Sequence, residues 1–126
     1  MKKVIFLALI AVILSANHIN WYGNYNKALE IAKREKKPLF VMLIKSNSKA
    51  CKSIIKDYFT NKKFIDEFNQ KYISVIINYD NQDYPIEMFY SQIFPTFFII
   101  NPKNEIFIRK PLYKNQIKEF LYNNLF

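Results

Sequence analysis

The chain has 126 residues, 51% of them hydrophobic, with 19 basic and 10 acidic side chains for a net charge of +9. That length is one domain's worth, with enough Phe, Tyr and Ile to bury a core without covalent staples. One cysteine excludes an internal disulfide, one cysteine with one histidine excludes a Cys/His zinc site, and a single glycine makes a phosphate-binding loop hard to build.

Lys2 and Lys3 precede an apolar run, Val4 to Leu14, and then Ser15-Ala16-Asn17. Two cations, a short apolar core and a small residue predict a secretory signal peptide over 1–16, cleaved after Ala16, with a domain over 17–126. An uncleaved signal anchor is the alternative. The run is shorter than the roughly 20 apolar residues of a membrane span, and cleavage would leave no stable anchor. Without Lys2 and Lys3, 17 basic residues face 10 acidic ones, a net charge of +7. A basic exported domain favours acidic partners or an anionic membrane surface. Export, and the lack of an aromatic-basic RNA-binding motif, argue against nucleic acid. The expected location is the bacterial periplasm or the exterior, where a thiol is open to oxidation.

From about Tyr25 to Lys36 the chain has a helical pattern, with Ala28, Leu29, Ile31 and Ala32 as its apolar stripe and Asn24 or Asn26 as its cap. Trp21 is expected to pack this helix onto a sheet, and His18 to lie in the terminal tail. Pro38 ends the helix and opens a buried strand, Leu39–Ile44. The polar Lys45-Ser46-Asn47-Ser48 loop leads into a helix, Ser48–Phe59, with Cys51, Ile54, Ile55 and Tyr58 on one face. Thr60-Asn61 breaks the pattern and can cap a further helix whose Phe64, Ile65 and Phe68 face inward. A second buried strand runs from Tyr72 to Asn78, followed by loop 79–84 and one or two helical turns over Ile86–Tyr90. Pro95 precedes a strong β run through Ile100. Asn101-Pro102-Lys103-Asn104 is a turn with Asn104 suited to a left-handed backbone, and Glu105–Arg109 returns as a hairpin strand. Lys114–Leu125 closes the chain as a helix with Ile117, Phe120, Leu121 and Leu125 on one face.

This order, with the motifs along it, resembles the secreted thioredoxin-like family related to periplasmic disulfide-reductase domains. The likeness rests on Trp21, on Ala28 and Ala32 in the first helix, and on Lys37-Pro38 entering the first core strand. It continues with Ser48-Lys49-Ala50-Cys51-Lys52 where the family has Cys-x-x-Cys-Lys, with Phe94-Pro95-Thr96 before an apolar strand, and with the Asn101–Asn104 turn. The resemblance implies an α/β thioredoxin-like fold, a central mixed sheet of about four strands flanked by helices. It also implies a cis peptide bond at Pro95 beside the Ser48–Cys51 loop, where an extended substrate meets Asn47, Lys49, Phe94, Pro95 and Thr96.

In a working dithiol the first cysteine sits at a helix N-terminus, where backbone N–H groups lower its pKa, and its thiolate attacks a substrate disulfide. The second cysteine resolves the mixed disulfide. Ser48 holds the attacking position. A hydroxyl does not attack disulfide sulfur, yet serine is among the best N-cap residues. Cys51 holds the resolving position. Asn47 stands where the family often has Trp, and Met42 where thioredoxins proper carry a buried acid, both against high reactivity. Lys49 and Lys52 would favour a thiolate if Cys51 were exposed.

Three functions follow. The first is a redox-degenerate protein that binds an extended peptide or protein partner beside Pro95 without dithiol turnover. The second is a monothiol disulfide oxidoreductase acting through mixed disulfides at Cys51, with Ser48 a degenerate nucleophile position. The third is a basic envelope-interaction protein that uses the fold as a scaffold. A monomer with no cofactor and no metal fits all three.

Overall fold

The Leu39–Ile44 strand is the centre of the sheet in the computed structural model of the chain, which describes residues 18–59 and 62–125. The expected export signal over 1–16 and the Thr60-Asn61 cap lie outside the described residues. In chain order the elements are β1 (Trp21–Tyr22), α1 (Tyr25–Glu35), β2 (Leu39–Ile44), α2 (Lys49–Tyr58), α3 (Lys62–Lys71), β3 (Ile73–Asn78), β4 (Thr96–Asn101), β5 (Ile106–Phe107) and α4 (Lys114–Leu125). The sheet runs β1-β3-β2-β4-β5, with β1 and β2 parallel to β3, and β4 antiparallel to both β2 and β5.

A strand with partners on both edges and helices on both faces must be apolar throughout, and β2 reads Leu-Phe-Val-Met-Leu-Ile. Its alternation divides the core. Leu39, Val41 and Leu43 join Ala28, Leu29, Ile31 and Ala32 of α1 on one face, together with Phe89 and Phe98. Phe40 and Met42 join Ile54, Phe64, Ile65, Phe68, Ile117, Phe120 and Leu121, from α2, α3 and α4, on the other. Phe40 is the hub of that second layer. Its ring lies 4.8 Å from Phe68, 5.6 Å from Phe97, 5.7 Å from Tyr72, 6.2 Å from Trp21 and 6.3 Å from Phe59.

Several expectations are corrected here. The sheet has five strands, because Trp21 and Tyr22 pair with Ser74 and Val75; two residues are too few to show a strand's alternation. That pairing also turns Trp21 away from α1, onto Phe40 and Phe59 across the sheet. The left-handed residue of the β4–β5 turn is Glu105 at φ 55, while Asn104 accepts a hydrogen bond from the Ile106 N–H at 3.1 Å. The hairpin strand shrinks to Ile106–Phe107. Ile86–Tyr90 agrees with its expectation, as one turn in which the Met88 and Phe89 N–H groups donate to the Pro85 carbonyl.

Asn24 caps α1, accepting from the Lys27 N–H at 2.9 Å. Lys36 closes it at φ 56, a conformation in which glycine is the usual residue. Its N–H and that of Lys37 both donate to the Ala32 carbonyl.

Tyr25 fixes the start of α1 to the hairpin by donating its hydroxyl proton to Glu105 Oε1 at 2.9 Å. Burial, then the hydrogen bond and the charge of Glu105, hold its pKa far above the ordinary tyrosine value. Burial also raises Tyr72 and Tyr84. Raised values in the folded state mean that the unfolded chain loses these protons first. Their contribution to stability is whole below about pH 10 and is lost as the pH climbs above it. Tyr25→Phe is expected to cost about 1 kcal/mol at neutral pH, through the lost hydrogen bond, and to flatten the alkaline decline. Urea unfolding at neutral pH and above the tyrosine range checks both parts; an unchanged alkaline slope would contradict the assignment.

Candidate functional site

The site forms where β2, β3 and β4 end or begin together. Ile44 pairs with Asn78, and Leu43 pairs with Thr96. One step further along the antiparallel pair brings Pro95 level with Ile44, where the Lys45–Ser48 loop starts. The Phe94–Pro95 peptide bond is cis.

Local chemistry shapes this loop. The Ser48 N–H donates to the Lys45 carbonyl at 3.2 Å, closing a turn, and Asn47 takes φ 65 within it. Asparagine is one of the few residues other than glycine that visits the left-handed region readily. Ser48 then leaves the turn in an extended conformation and caps α2, its Oγ accepting from the Cys51 N–H at 3.3 Å. The Ser48 hydroxyl therefore satisfies a helix end, an interaction worth roughly 1 kcal/mol. Cys51, one turn in, is 4% exposed. Lys49 and Lys52 are both exposed, and Met42 is fully buried in an apolar layer.

Non-local contacts that sequence reading missed lock the loop in place. The Ser46 N–H donates to Asp80 Oδ2 at 3.0 Å, and the Asn78 side-chain amide donates to Ser46 Oγ at 2.9 Å. Lys45 Nζ lies 5.8 Å from the Tyr79 ring and 5.9 Å from the Phe94 ring, and those rings meet edge-on at 5.4 Å. A cation shared by two rings thus ties the loop to the residue before Pro95. No local pattern announces such contacts between segments fifteen or more residues apart.

On the Pro95 side, the Thr96 hydroxyl donates to the Ile93 carbonyl and lies 2.8 Å from Ser91 Oγ, which accepts from the Ile93 N–H at 3.0 Å. Thr96 is fully buried, so its side chain shapes the Pro95 approach from within. Ile93 and Tyr90 on the same approach are 53% and 60% exposed. The structure thus brings Lys45 beside Phe94 and puts Ser48 on the Cys51 amide. Lys49 and Asn47 lie on the open side of the loop.

Among the described residues no three His, Cys, Asp or Glu side chains converge as a metal site, and no helix is long and apolar enough to cross a membrane.

Helical layers on both faces of a β1-β3-β2-β4-β5 mixed sheet, with a capped helix and a cis-proline meeting at one end, define a thioredoxin-fold protein. Its one cysteine, Cys51, is a free and buried thiol. The family profile described as thioredoxin-like matches residues 20–102, and the chain belongs to the thioredoxin-like family. Similar solved structures share the fold at low identity. DsbH oxidoreductase has a TM-score of 0.62 at 15% identity, covering 83% of this chain and 85% of that one. Thioredoxin f2 in complex with ferredoxin:thioredoxin reductase has a TM-score of 0.60 at 16% identity, covering 85% and 92%. A disulphide isomerase from Xylella fastidiosa Temecula1 has a TM-score of 0.57 at 20% identity, covering 78% and 86%. A search of curated proteins gives no match.

Proposed function

We propose that this thioredoxin-like protein works by binding, without dithiol turnover. It holds an extended segment of a peptide or protein partner beside Pro95, against Phe94, Asn47 and Lys49. Thr96 and Ser91 keep that surface in shape from beneath. Segment 1–16 would deliver the chain to the periplasm or the exterior, where extended and misfolded segments of other exported proteins are available.

One observation carries this reading: the thiol is buried and the Ser48 hydroxyl is engaged in a helix cap, while the apolar rim is open. The thiol is 4% exposed and the hydroxyl in the attacking position accepts a helix cap, whereas Ile93 is 53% exposed. Tyr90, three residues before Ile93, is 60% exposed as well, and neighbouring apolar side chains left in water are what a binding edge displays. Burial of Cys51 weighs against the monothiol alternative, because mixed-disulfide formation needs access to sulfur.

The test uses a reduced, carboxymethylated and permanently unfolded protein as an extended-chain probe. Ile93→Asp is expected to weaken its binding about tenfold, the loss of one well-buried contact. Cys51→Ser should change it less than twofold. Binding that vanishes with Cys51→Ser and ignores Ile93→Asp would overturn the reading.

A further inference from the structure

The end of the sheet opposite Pro95 carries a second concave surface. A cavity of about 670 Å³ is lined there by Lys33, Lys36 and Lys37 at the end of α1, by Lys103 of the β4–β5 turn, and by Pro38 and Ile108. Four lysines from two separate segments line it beside the apolar Pro38 and Ile108. Of these four lysines only Lys37 has a carboxylate partner among the described residues, Glu35 at 3.7 Å. The carbonyl pole of α1, about half a negative charge, is outweighed by Lys33, Lys36 and Lys103 together. Lys36 moreover keeps its cation at this rim on a left-handed backbone that glycine would adopt without strain.

The hairpin beside the cavity is apolar where it meets water. Phe107 packs against Phe98 and Phe89, at 5.7 and 6.0 Å between rings. Ile106 and Ile108, alternating with it, are 60% and 55% exposed, and exposed Arg109 and Lys110 follow directly. Inorganic phosphate would use the lysines and leave Ile108 in water. An acidic peptide would do much the same. A molecule that joins a phosphate to a hydrocarbon uses both halves of the surface, as interfacial binding sites do.

We infer that this end of the fold is a site for an anionic phospholipid, with the phosphate among Lys33, Lys36 and Lys103 and the adjoining apolar part on Pro38 and Ile108. The site is separate from the Pro95 surface and does not depend on the function proposed for it. It would place the domain against an anionic membrane with its partner-binding edge facing away.

The test is residue-resolved amide NMR on the full chain, titrated with dihexanoylphosphatidylglycerol below its micelle concentration. The expected result is saturable shifts at amides 33–38 and 101–108, with affinity at least about tenfold above that for dihexanoylphosphatidylcholine or inorganic phosphate. Each lysine near such a headgroup is worth roughly a fivefold change, so Lys33→Gln with Lys103→Gln should weaken binding about 25-fold. Ile108→Ser should weaken the lipid about fivefold and leave inorganic phosphate unaffected. Equal affinity for inorganic phosphate, for the zwitterionic lipid or for a polyglutamate peptide would overturn the assignment, as would shifts confined to other residues.

Discussion

Ser48→Cys is expected to turn this chain into a disulfide reductase. The substitution puts a thiol at the α2 N-cap, where Ser48 Oγ now meets the Cys51 N–H. Backbone N–H groups at a helix start favour the thiolate, which attacks a substrate sulfur and releases one substrate thiol. Cys51 then attacks the mixed disulfide, freeing the second substrate thiol and leaving a protein disulfide for dithiothreitol to reduce. Insulin reduction should rise about tenfold or more above the uncatalysed dithiothreitol rate, while the natural chain stays at that rate. With dithiothreitol left out, Ser48→Cys combined with Cys51→Ser should stop at the mixed disulfide with its substrate, because no resolving thiol remains. Weaker capping by cysteine should cost about 1 kcal/mol of stability, which thermal unfolding would register. Turnover by the natural chain, or an inert Ser48→Cys variant that is folded, would contradict the account of why serine silences the site.

Phe40→Ala is the most damaging single change the core offers. Phe40 is fully buried on the central strand and its ring meets five others, from β1, the C-cap of α2, α3, β4 and the α3–β3 junction. Removing it forfeits transfer free energy and leaves a cavity that rigid neighbours cannot fill, a loss of about 3–5 kcal/mol. Domains of this size hold roughly 5–15 kcal/mol in total, so the variant should unfold at a far lower urea concentration. Ile93→Asp, on the exposed rim, should leave the urea midpoint close to that of the natural chain. Equal loss from both changes would mean that the two-layer division of the core is wrong.

How far the residues announce this structure depends on how local each signal is. Leu39–Ile44 was legible because Pro38 and a polar loop bracket an uninterrupted apolar run, and the strand occupies those residues. The closing helix, with Ile117, Phe120 and Leu121 buried, follows equally from spacing. Trp21 was misplaced because its facing is set by pairing with Ser74, more than fifty residues away. The left-handed position fell on Glu105, not Asn104, because Asn104 spends its side chain on the Ile106 N–H. At the site, the Ser48 cap could be read from residue type and position alone. The cis bond at Pro95 came only from family resemblance, since the residues around an X-Pro bond rarely reveal its isomer. The lock of Lys45, Tyr79 and Phe94 was invisible, because it joins three segments that only the sheet brings together.

The central claim is that Cys51 is a core residue of a binding protein, and its accessibility tests that most directly. Acid-quenched cells are alkylated with a mass-shifting reagent, with and without denaturant and reductant, and the chain is run on a non-reducing gel. The account predicts a thiol that labels only after denaturation, with no higher-mass species. Labelling of the native chain, or a reductant-sensitive adduct that disappears in Cys51→Ser, would contradict it and make the thiol the working group.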